Sequence, residues 1–410
     1  MKEYYDLMNL LKFALNQGDQ TEEDINNRIK ELDISEKAWE KLVTISIDNS
    51  VAGLLYDVLK GCESIPKDTF KLIDYYATKA CKRNYRYLVL AIQINRIFKK
   101  AGIQFCILKG MAAAADYPVP DVRKAADLDL LLTDPADLKR AVKLLFKLGF
   151  QVNNDEQHAL HHVVMRHSDG VQLVEVHTML AEPFDNAKTN DLLNKLLPDC
   201  KEHIIYKEIM GAPLPVLEDG YHAYEMLMHM LQHFMHAGFG VKMLCDWVVL
   251  WNRGLDDENR KLYMKLVKDS KVKGFADMIS RVCIKYLGLK REKVRWMNLY
   301  AAGKNREEFV EETENFVKEI MEAGEFGKVK GRLVAFKGNG LIDYVSEFHH
   351  QMHINFPRAG KCFFLWPVLW IITLVRFLKN NKKVRSVSSR EVFESARKRG
   401  KLVKSMHLFE

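Results

Sequence analysis

The feature that most constrains this chain is a pair of carboxylates set one residue apart inside an apolar run. Asp127 and Asp129 flank a leucine, and residues 130–132 are leucine as well. Because residues i and i+2 of a β-strand project to the same face, we expect the two carboxylates to lie side by side on a buried strand. Like charges this close raise a pKa or recruit a cation, and ionised oxygen ligands suit Mg2+. The motif therefore predicts a metal site, and a solvated strand end is the alternative interpretation.

The segment before this pair predicts a strand, a glycine and a helix in succession. Residues 103–108 are typical of a short buried strand, and Lys109 and Gly110 lead into residues 111–115, a methionine and four alanines. The N-terminus of a helix presents unpaired N–H groups and the positive end of the helix dipole to an anion. Since Gly110 lets a ligand approach the backbone closely, the segment predicts a phosphate-binding turn.

A third acid lies in a β-branched run further along the chain. Residues 171–177 are typical of a central strand, which is a poor location for an unpaired carboxylate. Beside the strand of Asp127 and Asp129, Glu175 would complete a three-carboxylate cluster able to hold two Mg2+ ions. The alternative is an edge-strand residue that faces solvent.

Taken in order, these segments resemble the polymerase-beta-like nucleotidyltransferase superfamily, and more narrowly a group of uncharacterised bacterial nucleotidyltransferases. The resemblance rests on Leu-Lys-Gly at 108–110 with its helix, the Tyr-Pro-Val-Pro loop at 117–120, Arg123, the Asp-x-Asp pair and Glu175. It covers roughly residues 85 to 180, and a second patch extends it to about residue 250. It implies an enzyme that transfers a nucleoside monophosphate from an NTP to an acceptor.

The resemblance also implies roles for individual residues around the metals. Asp127 and Asp129 would bind both of two Mg2+ ions, for which Mn2+ could substitute. Glu175 would bind the catalytic ion and help to deprotonate the acceptor. His177, two residues past Glu175 on the same side of the strand, could touch a phosphate or the acceptor hydroxyl.

Other residues are implied to hold the NTP. Gly110 and its helix would bind the triphosphate, and Arg123 or Lys109 would neutralise its charge. Met111 stands where the superfamily usually has serine or glycine, so the hydroxyl often offered to a phosphate is absent.

The second patch contains two charged residues and a histidine series on predicted helices. Lys242 and Asp246 would line the cleft and contact nucleotide or acceptor, and an intrahelical salt bridge is the alternative. His229 and His233 have the i, i+4 spacing of a zinc site, but the glutamate of the H-E-x-x-H motif is missing. We therefore do not expect zinc.

The composition is that of a globular protein with room for two or three domains: 410 residues, 48% hydrophobic and 28% charged. The first residues include acids and lack the apolar stretch of a secretory signal. Seven cysteines without C-x-x-C spacing fit reduced thiols in a cytoplasm.

The net charge of +8 is concentrated at the C-terminal end. Residues 376–410 carry eleven Lys or Arg and three acids, so residues 1–375 are balanced. The apolar run just before them, residues 362–375, is shorter than the roughly 20 residues of a membrane span. Residues 362–404 could dock peripherally on an anionic membrane, or the apolar run could be a terminal helix packed on the body. Few aromatic residues accompany the basic ones, so we do not expect nucleic acid as a partner.

The predicted fold class is α+β, with a small mixed-sheet nucleotidyltransferase core flanked by N- and C-terminal helical regions. The expected organisation is an N-terminal helical region at 1–100, the core at 101–215, and a C-terminal helical region at 216–330. Residues 331–410 are expected to form a loop, the apolar segment and a basic tail. A non-catalytic nucleotide-binding module and a membrane-associated assembly module are the alternative functions.

Overall fold

The architecture comes from a computed structural model that describes most of the chain. The described residues are 1–19, 21–152, 162–184, 187–236, 238–297, 306–323, 362–380 and 402–409, together with the single positions 299, 349, 352, 356 and 400. Most of the predicted loop that begins at residue 331 and most of the basic stretch lie outside the described residues.

Seven strands among the described residues form one mixed sheet in the order β3-β4-β5-β2-β1-β7-β6. Two neighbouring pairs, β2 with β5 and β1 with β7, are parallel, and the other pairs are antiparallel. The strands are β1 Phe105–Ile107, β2 Leu128–Leu132, β3 Phe150–Val152, β4 His162–His167, β5 Leu173–His177, β6 Ile204–Ile209 and β7 Ala212–Leu217. This confirms the predicted fold class and puts the strand of Glu175 beside the strand of Asp129.

Helices precede, cover and follow the sheet. Before the sheet lie α1 Lys2–Leu15, α2 Glu22–Glu31, α3 Glu36–Asp48, α4 Tyr56–Leu59 and α5 Lys67–Lys100. Between strands lie α6 Lys109–Ala114, α7 Leu138–Lys147 and α8 Ala187–Asp199. After the sheet come α9 Asp219–His236, α10 Val241–Arg253, α11 Asp257–Asp269, α12 Lys273–Val282, α13 Arg306–Ala323 and α14 Trp366–Asn380.

The two faces of the sheet belong to two different hydrophobic cores. The even-numbered leucines of β2, 128, 130 and 132, pack with the buried side of α5 and with residues of α7. Leu131 instead belongs to the larger core, which contains residues of α1, α3, α9, α10 and α12. Because side chains alternate along a strand, Asp129 shares the face of Leu131. The odd-numbered positions of β2 and β5 therefore point toward α9 and α10.

The C-terminal end of the chain returns to this larger core. Leu402, Met406 and Leu408 are buried in it, and the Phe409 N–H donates a hydrogen bond to the Lys271 carbonyl. The predicted basic tail is thus anchored to the body at its end. Within the part of the chain that the structure describes, no helix combines the length and hydropathy needed to cross a bilayer.

Candidate functional site

Two parallel strands bring the predicted acids together. Asp129 of β2 and Glu175 of β5 are direct register partners. His177 follows on the same face of β5, with its Nε2 atom 2.8 Å from Asp129 Oδ1 and 3.4 Å from Glu175 Oε2. Among the described residues, Asp129, Glu175 and His177 form a group whose ligand atoms all lie within 4.8 Å of one another.

The donor set of this group fits a divalent cation. Two carboxylates supply the hard oxygen ligands that Mg2+ and Mn2+ prefer, and an imidazole is better suited to a transition metal than to Mg2+. Asp127, one residue before β2, lines the same cavity as Asp129 and Glu175. The carboxylates present could therefore hold the Mg2+ ions that the resemblance implies, and His177 could add a ligand where the ion is Mn2+.

The Lys109 side chain reaches into the group. Its Nζ atom donates a hydrogen bond of 2.8 Å to Asp129 Oδ1 and lies 3.9 Å from Glu175 Oε2 and 3.4 Å from His177 Nε2. Lys109 begins α6, and its φ of 51° lies in the left-handed region that non-glycine residues seldom adopt. The turn predicted to bind phosphate thus directs its lysine at the carboxylates.

The pKa values of the acids diverge because their surroundings differ. Burial alone would raise the pKa of Asp129, but the charge of Lys109 and the hydrogen bond from His177 outweigh it and hold this pKa well below its usual range. Asp127 has no such close partner among the described residues, so burial and the charges of Asp129 and Glu175 raise its pKa to about 7. Neighbouring carboxylates whose pKa values are shifted in opposite directions are typical of functional sites.

These residues open onto a cavity of about 320 Å3 between the sheet, α9 and α10. All the predicted site residues line this cavity except His177, which is buried. The lining residues are Lys109, Gly110, Ala113, Arg123, Ala126, Asp127, Asp129, His162, Glu175, Glu182, Glu225, Met226, His229, Met230, His233, Lys242, Met243 and Asp246. A second groove of about 410 Å3, lined mainly by residues of α5, shares none of them and has no acid in its lining.

Arg123 lies inside the wall of the cavity as a member of an ion pair. Its Nε and Nη2 atoms donate to the two carboxylate oxygens of Asp246 on α10, and the Tyr117 hydroxyl donates to the same carboxylate over 2.7 Å. A side chain at Gly110 would place its Cβ 2.6 Å from Arg123 Nη1. The glycine therefore makes room for this guanidinium, whose charge is balanced by Asp246.

Lys242 approaches the carboxylates from α10. It is buried in the cavity wall, and its positive charge lowers the pKa of Asp127 against the larger effects that raise it. The pair that the structure describes for Asp246 is with Arg123, rather than the intrahelical pair with Lys242 that was the alternative expectation.

The α9 wall contains residues that the sequence reasoning missed. Glu225 is 1% exposed, and its Oε2 atom has no hydrogen-bond partner within the described residues. Burial is the main reason that its pKa is raised to about 7. The sequence did contain a signal for Glu225, because it is an acid among apolar residues in a predicted helix. His229 and His233 stack edge to face with ring centroids 4.5 Å apart, and the metal-binding group described above does not include them.

Comparison with known proteins gives one family and distant structural neighbours. The sequence model of a family described as "Uncharacterised nucleotidyltransferase" matches residues 35–288, a stretch that contains every predicted site residue. No curated protein matches the chain. A nucleotidyltransferase-like antigenic protein from Paracoccidioides brasiliensis is 16% identical, covering 50% of this chain and 92% of its own, with a TM-score of 0.30. The antibiotic-resistance factor ANT(2'')-Ia is 13% identical, covering 45% of this chain and 92% of its own, with a TM-score of 0.32.

Proposed function

The chain belongs to the uncharacterised nucleotidyltransferase family, and from that premise we propose that Asp127, Asp129 and Glu175 hold two Mg2+ ions during nucleotidyl transfer to an acceptor. Mn2+ would serve in their place. The observation that carries the proposal is the direct pairing of Asp129 with Glu175 across two parallel strands, at the wall of a cavity. Such ions, when bound, stabilise the attacking and leaving oxygens of an in-line displacement.

The residues of the chain take distinct roles in this proposal. Asp129 is almost fully buried and strongly favours its charged form, so it anchors the metal site from within. The Glu175 side chain is 23% exposed, which makes it the member of the group that an acceptor hydroxyl can reach and to which it can lose its proton. Lys109 and Lys242 supply positive charge for the triphosphate. Arg123 is neutralised by Asp246 and positions the turn at Gly110.

We place the acceptor against the α9 wall of the cavity. This wall combines apolar side chains, Met226 and Met230, with the buried carboxylate of Glu225. A pocket that combines apolar side chains with fixed polar groups is typical of small-molecule recognition. We place the protein in the cytoplasm, since all seven cysteines lie in the described part of the chain and are free thiols.

Calorimetric titration with each of the four NTPs in Mg2+ tests the metal and nucleotide roles. We expect binding of at least one NTP to the wild type and none to the Asp127→Asn/Asp129→Asn double variant. Asp137→Asn is the matched control, because Asp137 forms its ion pair with the exposed Arg140, outside the cavity lining. NTP binding that survives the double substitution would contradict the proposal. Binding without transfer to any acceptor would favour the non-catalytic alternative.

A specific observation also favours peripheral contact with an anionic membrane through residues 362–404. Side chains on and just before α14 are apolar and exposed, among them Phe363, Phe364, Val368 and Ile371 at 60, 76, 56 and 63%. Residues 362–375 contain no charged residue, and eleven Lys or Arg against two acids follow up to residue 404. Aromatic and aliphatic side chains beside positive charge complement the surface of an anionic bilayer.

Vesicle sedimentation tests this contact. We expect the wild type to pellet with phosphatidylcholine vesicles that contain phosphatidylglycerol and not with pure phosphatidylcholine. The triple variant Phe363→Ser/Phe364→Ser/Ile371→Ser should stay in the supernatant. Tyr75→Ser/Val89→Ser/Ile92→Ser on α5 is the control, because these apolar residues are also exposed. An equal loss of vesicle binding in both triple variants, or no pelleting of the wild type, would contradict the membrane contact. We choose substitutions because deletion of the C-terminal segment would also remove residues 402–409, which pack in the larger core.

A further inference from the structure

We infer that the Lys109 ammonium occupies the metal position of the resting protein and leaves it for the triphosphate when metal and NTP bind together. The inference rests on the proposed function and adds to it a regulation of the same site. Metal alone would then bind weakly, because it must displace a resident cation.

The first observation is that Lys109 contacts the same atoms that would ligate a metal. Its Nζ atom lies 2.8 Å from Asp129, 3.9 Å from Glu175 and 3.4 Å from His177. Asp129 and Glu175 are ligands in the proposed function, and His177 completes the group of described residues that could hold a metal. A divalent ion held by that group would sit directly against the ammonium, and like charges at such short range repel strongly in a buried site. The ammonium and the ion therefore exclude each other.

The second observation is that the lysine can move while its backbone stays in place. Lys109 is the first residue of α6, and the Glu225 carboxylate on α9 lies close to its backbone N–H. Its side chain is a flexible four-carbon stem that is 18% exposed toward the cavity. Ala113, which has a small side chain, lines the adjoining cavity wall. The ammonium can therefore swing out of the group without disturbing the turn.

The third step is that a bound triphosphate attracts the Lys109 ammonium away from the carboxylates. A triphosphate carries several negative charges, and a lysine binds phosphate oxygens as a compact point charge. An NTP in the cavity offers Lys109 new partners just when a metal takes its carboxylates. Metal and NTP therefore favour each other's binding, and the coupling is reciprocal by thermodynamic necessity. If Lys109 were instead a fixed structural partner of Asp129, removing it would weaken the group and bring no gain in metal affinity.

Titration of the full-length protein with Mn2+ alone, without nucleotide, separates these cases. We expect Lys109→Met to bind Mn2+ about tenfold more tightly than the wild type. Lys242→Met removes another positive charge from the same cavity, so it controls for a general electrostatic change and should have a much smaller effect. Lys109→Gln serves as a second variant, since its amide can still donate to Asp129. Melting temperatures of all variants show whether each is folded.

Each outcome decides between the alternatives. Equal or weaker Mn2+ binding by folded Lys109→Met, or an equal gain in Lys242→Met, would overturn the inference and leave the proposed metal site standing. Absence of Mn2+ binding in the wild type and in both Lys109 variants would overturn the proposed metal site as well. As a second readout, an NTP should increase Mn2+ affinity in the wild type, and this increase should be lost in Lys109→Met.

Discussion

Arg123 and Asp246 meet through two parallel contacts, Nε to Oδ1 at 2.9 Å and Nη2 to Oδ2 at 2.5 Å, although 123 positions separate them in the sequence. Both side chains are buried, and Tyr117 adds a third bond to the same carboxylate. The pair joins the segment before β2 to α10. The floor and one wall of the cavity are thereby held together by a contact that carries no net charge.

Asp246→Asn should destabilise the protein strongly, because it leaves the buried Arg123 charge without a counter-ion. Breaking a buried pair by removing one partner costs about 3–5 kcal/mol of the free energy of unfolding. Urea denaturation measures the loss. Asp137→Asn, which breaks the pair with the exposed Arg140, should cost less than about 1 kcal/mol. Similar losses of unfolding free energy in the two variants would show that the pair of Arg123 and Asp246 contributes no more to stability than an exposed pair.

Gly110→Ala should disturb the same pair by a different route. The added Cβ would stand 2.6 Å from Arg123 Nη1, so the guanidinium must shift away from Asp246. We expect a lower midpoint of urea unfolding together with weaker NTP binding. The control is Gly18→Ala, whose Cβ would meet nothing within 4 Å and should change stability by no more than about 0.5 kcal/mol. A Gly110→Ala protein as stable as this control would refute the close packing.

Mn2+ should raise the melting temperature of the wild type, since a ligand that binds the folded state stabilises it by mass action. At a free concentration of 100 times Kd the gain is about 2.7 kcal/mol. Differential scanning fluorimetry with Mn2+ and with EDTA measures the shift. Asp129→Asn should abolish it, whereas Glu63→Gln, at a side chain that is 88% exposed, should retain it. A full shift in Asp129→Asn would place the metal elsewhere.

Asp6→Asn should stabilise the protein at neutral pH. Burial raises the pKa of this carboxyl; the charge of Lys2 lowers it, and the charge of Glu3 raises it further. The Asp6 Oδ2 atom has no hydrogen-bond partner in the described part of the chain. Because the unfolded chain loses this proton at a lower pH, near the ordinary value of about 4, the wild type loses stability as the pH rises from there through the raised pKa. The gain of Asp6→Asn should therefore disappear in acid.

A substitution of opposite sign controls the Asp6 measurement. Hydrogen bonds from Thr21 lower the pKa of Asp24 in the capping box of α2. Asp24→Asn should therefore reduce stability at neutral pH, with the difference fading as the pH falls through the lowered pKa. Urea midpoints measured from about pH 2 to about pH 7, a range that extends to both sides of the ordinary carboxyl pKa of about 4, show whether the two variants diverge in this way.

The sheet was predictable where short-range periodicity specifies it. The alternation around Asp129 and the β-branched run around Glu175 each indicate a strand and a face, and the pairing of the two strands confirms that expectation. The hairpin of β6 and β7 was not predicted, because Pro213 and Pro215 argue against a strand. Gly211 was the available signal, because Met210 and Gly211 both adopt positive φ in the two-residue turn and glycine does so most readily.

The walls of the site were harder to predict because their contacts are long-range. Spacing within one helix offered Lys242 as an alternative partner for Asp246, whereas the described partner, Arg123, comes from a distant part of the chain. Glu225 was missed for the same reason: only the packing of α9 over the sheet brings its carboxylate to the backbone of Lys109. Local sequence patterns identify the reactive groups, whereas tertiary packing determines which residues contact them.

The parallel pairing of β2 with β5 has a consequence for how the protein folds. Asp129 and His177 are 48 positions apart in the sequence, and parallel neighbours require a crossover, here through α7, β3 and β4. Contacts of such sequence separation form slowly, because the entropy of closing the intervening segment is lost before any contact is gained. The β6–β7 hairpin, closed by two residues, has no such delay. We therefore expect the ligand group to assemble late, so that metal affinity during refolding would report completion of the sheet.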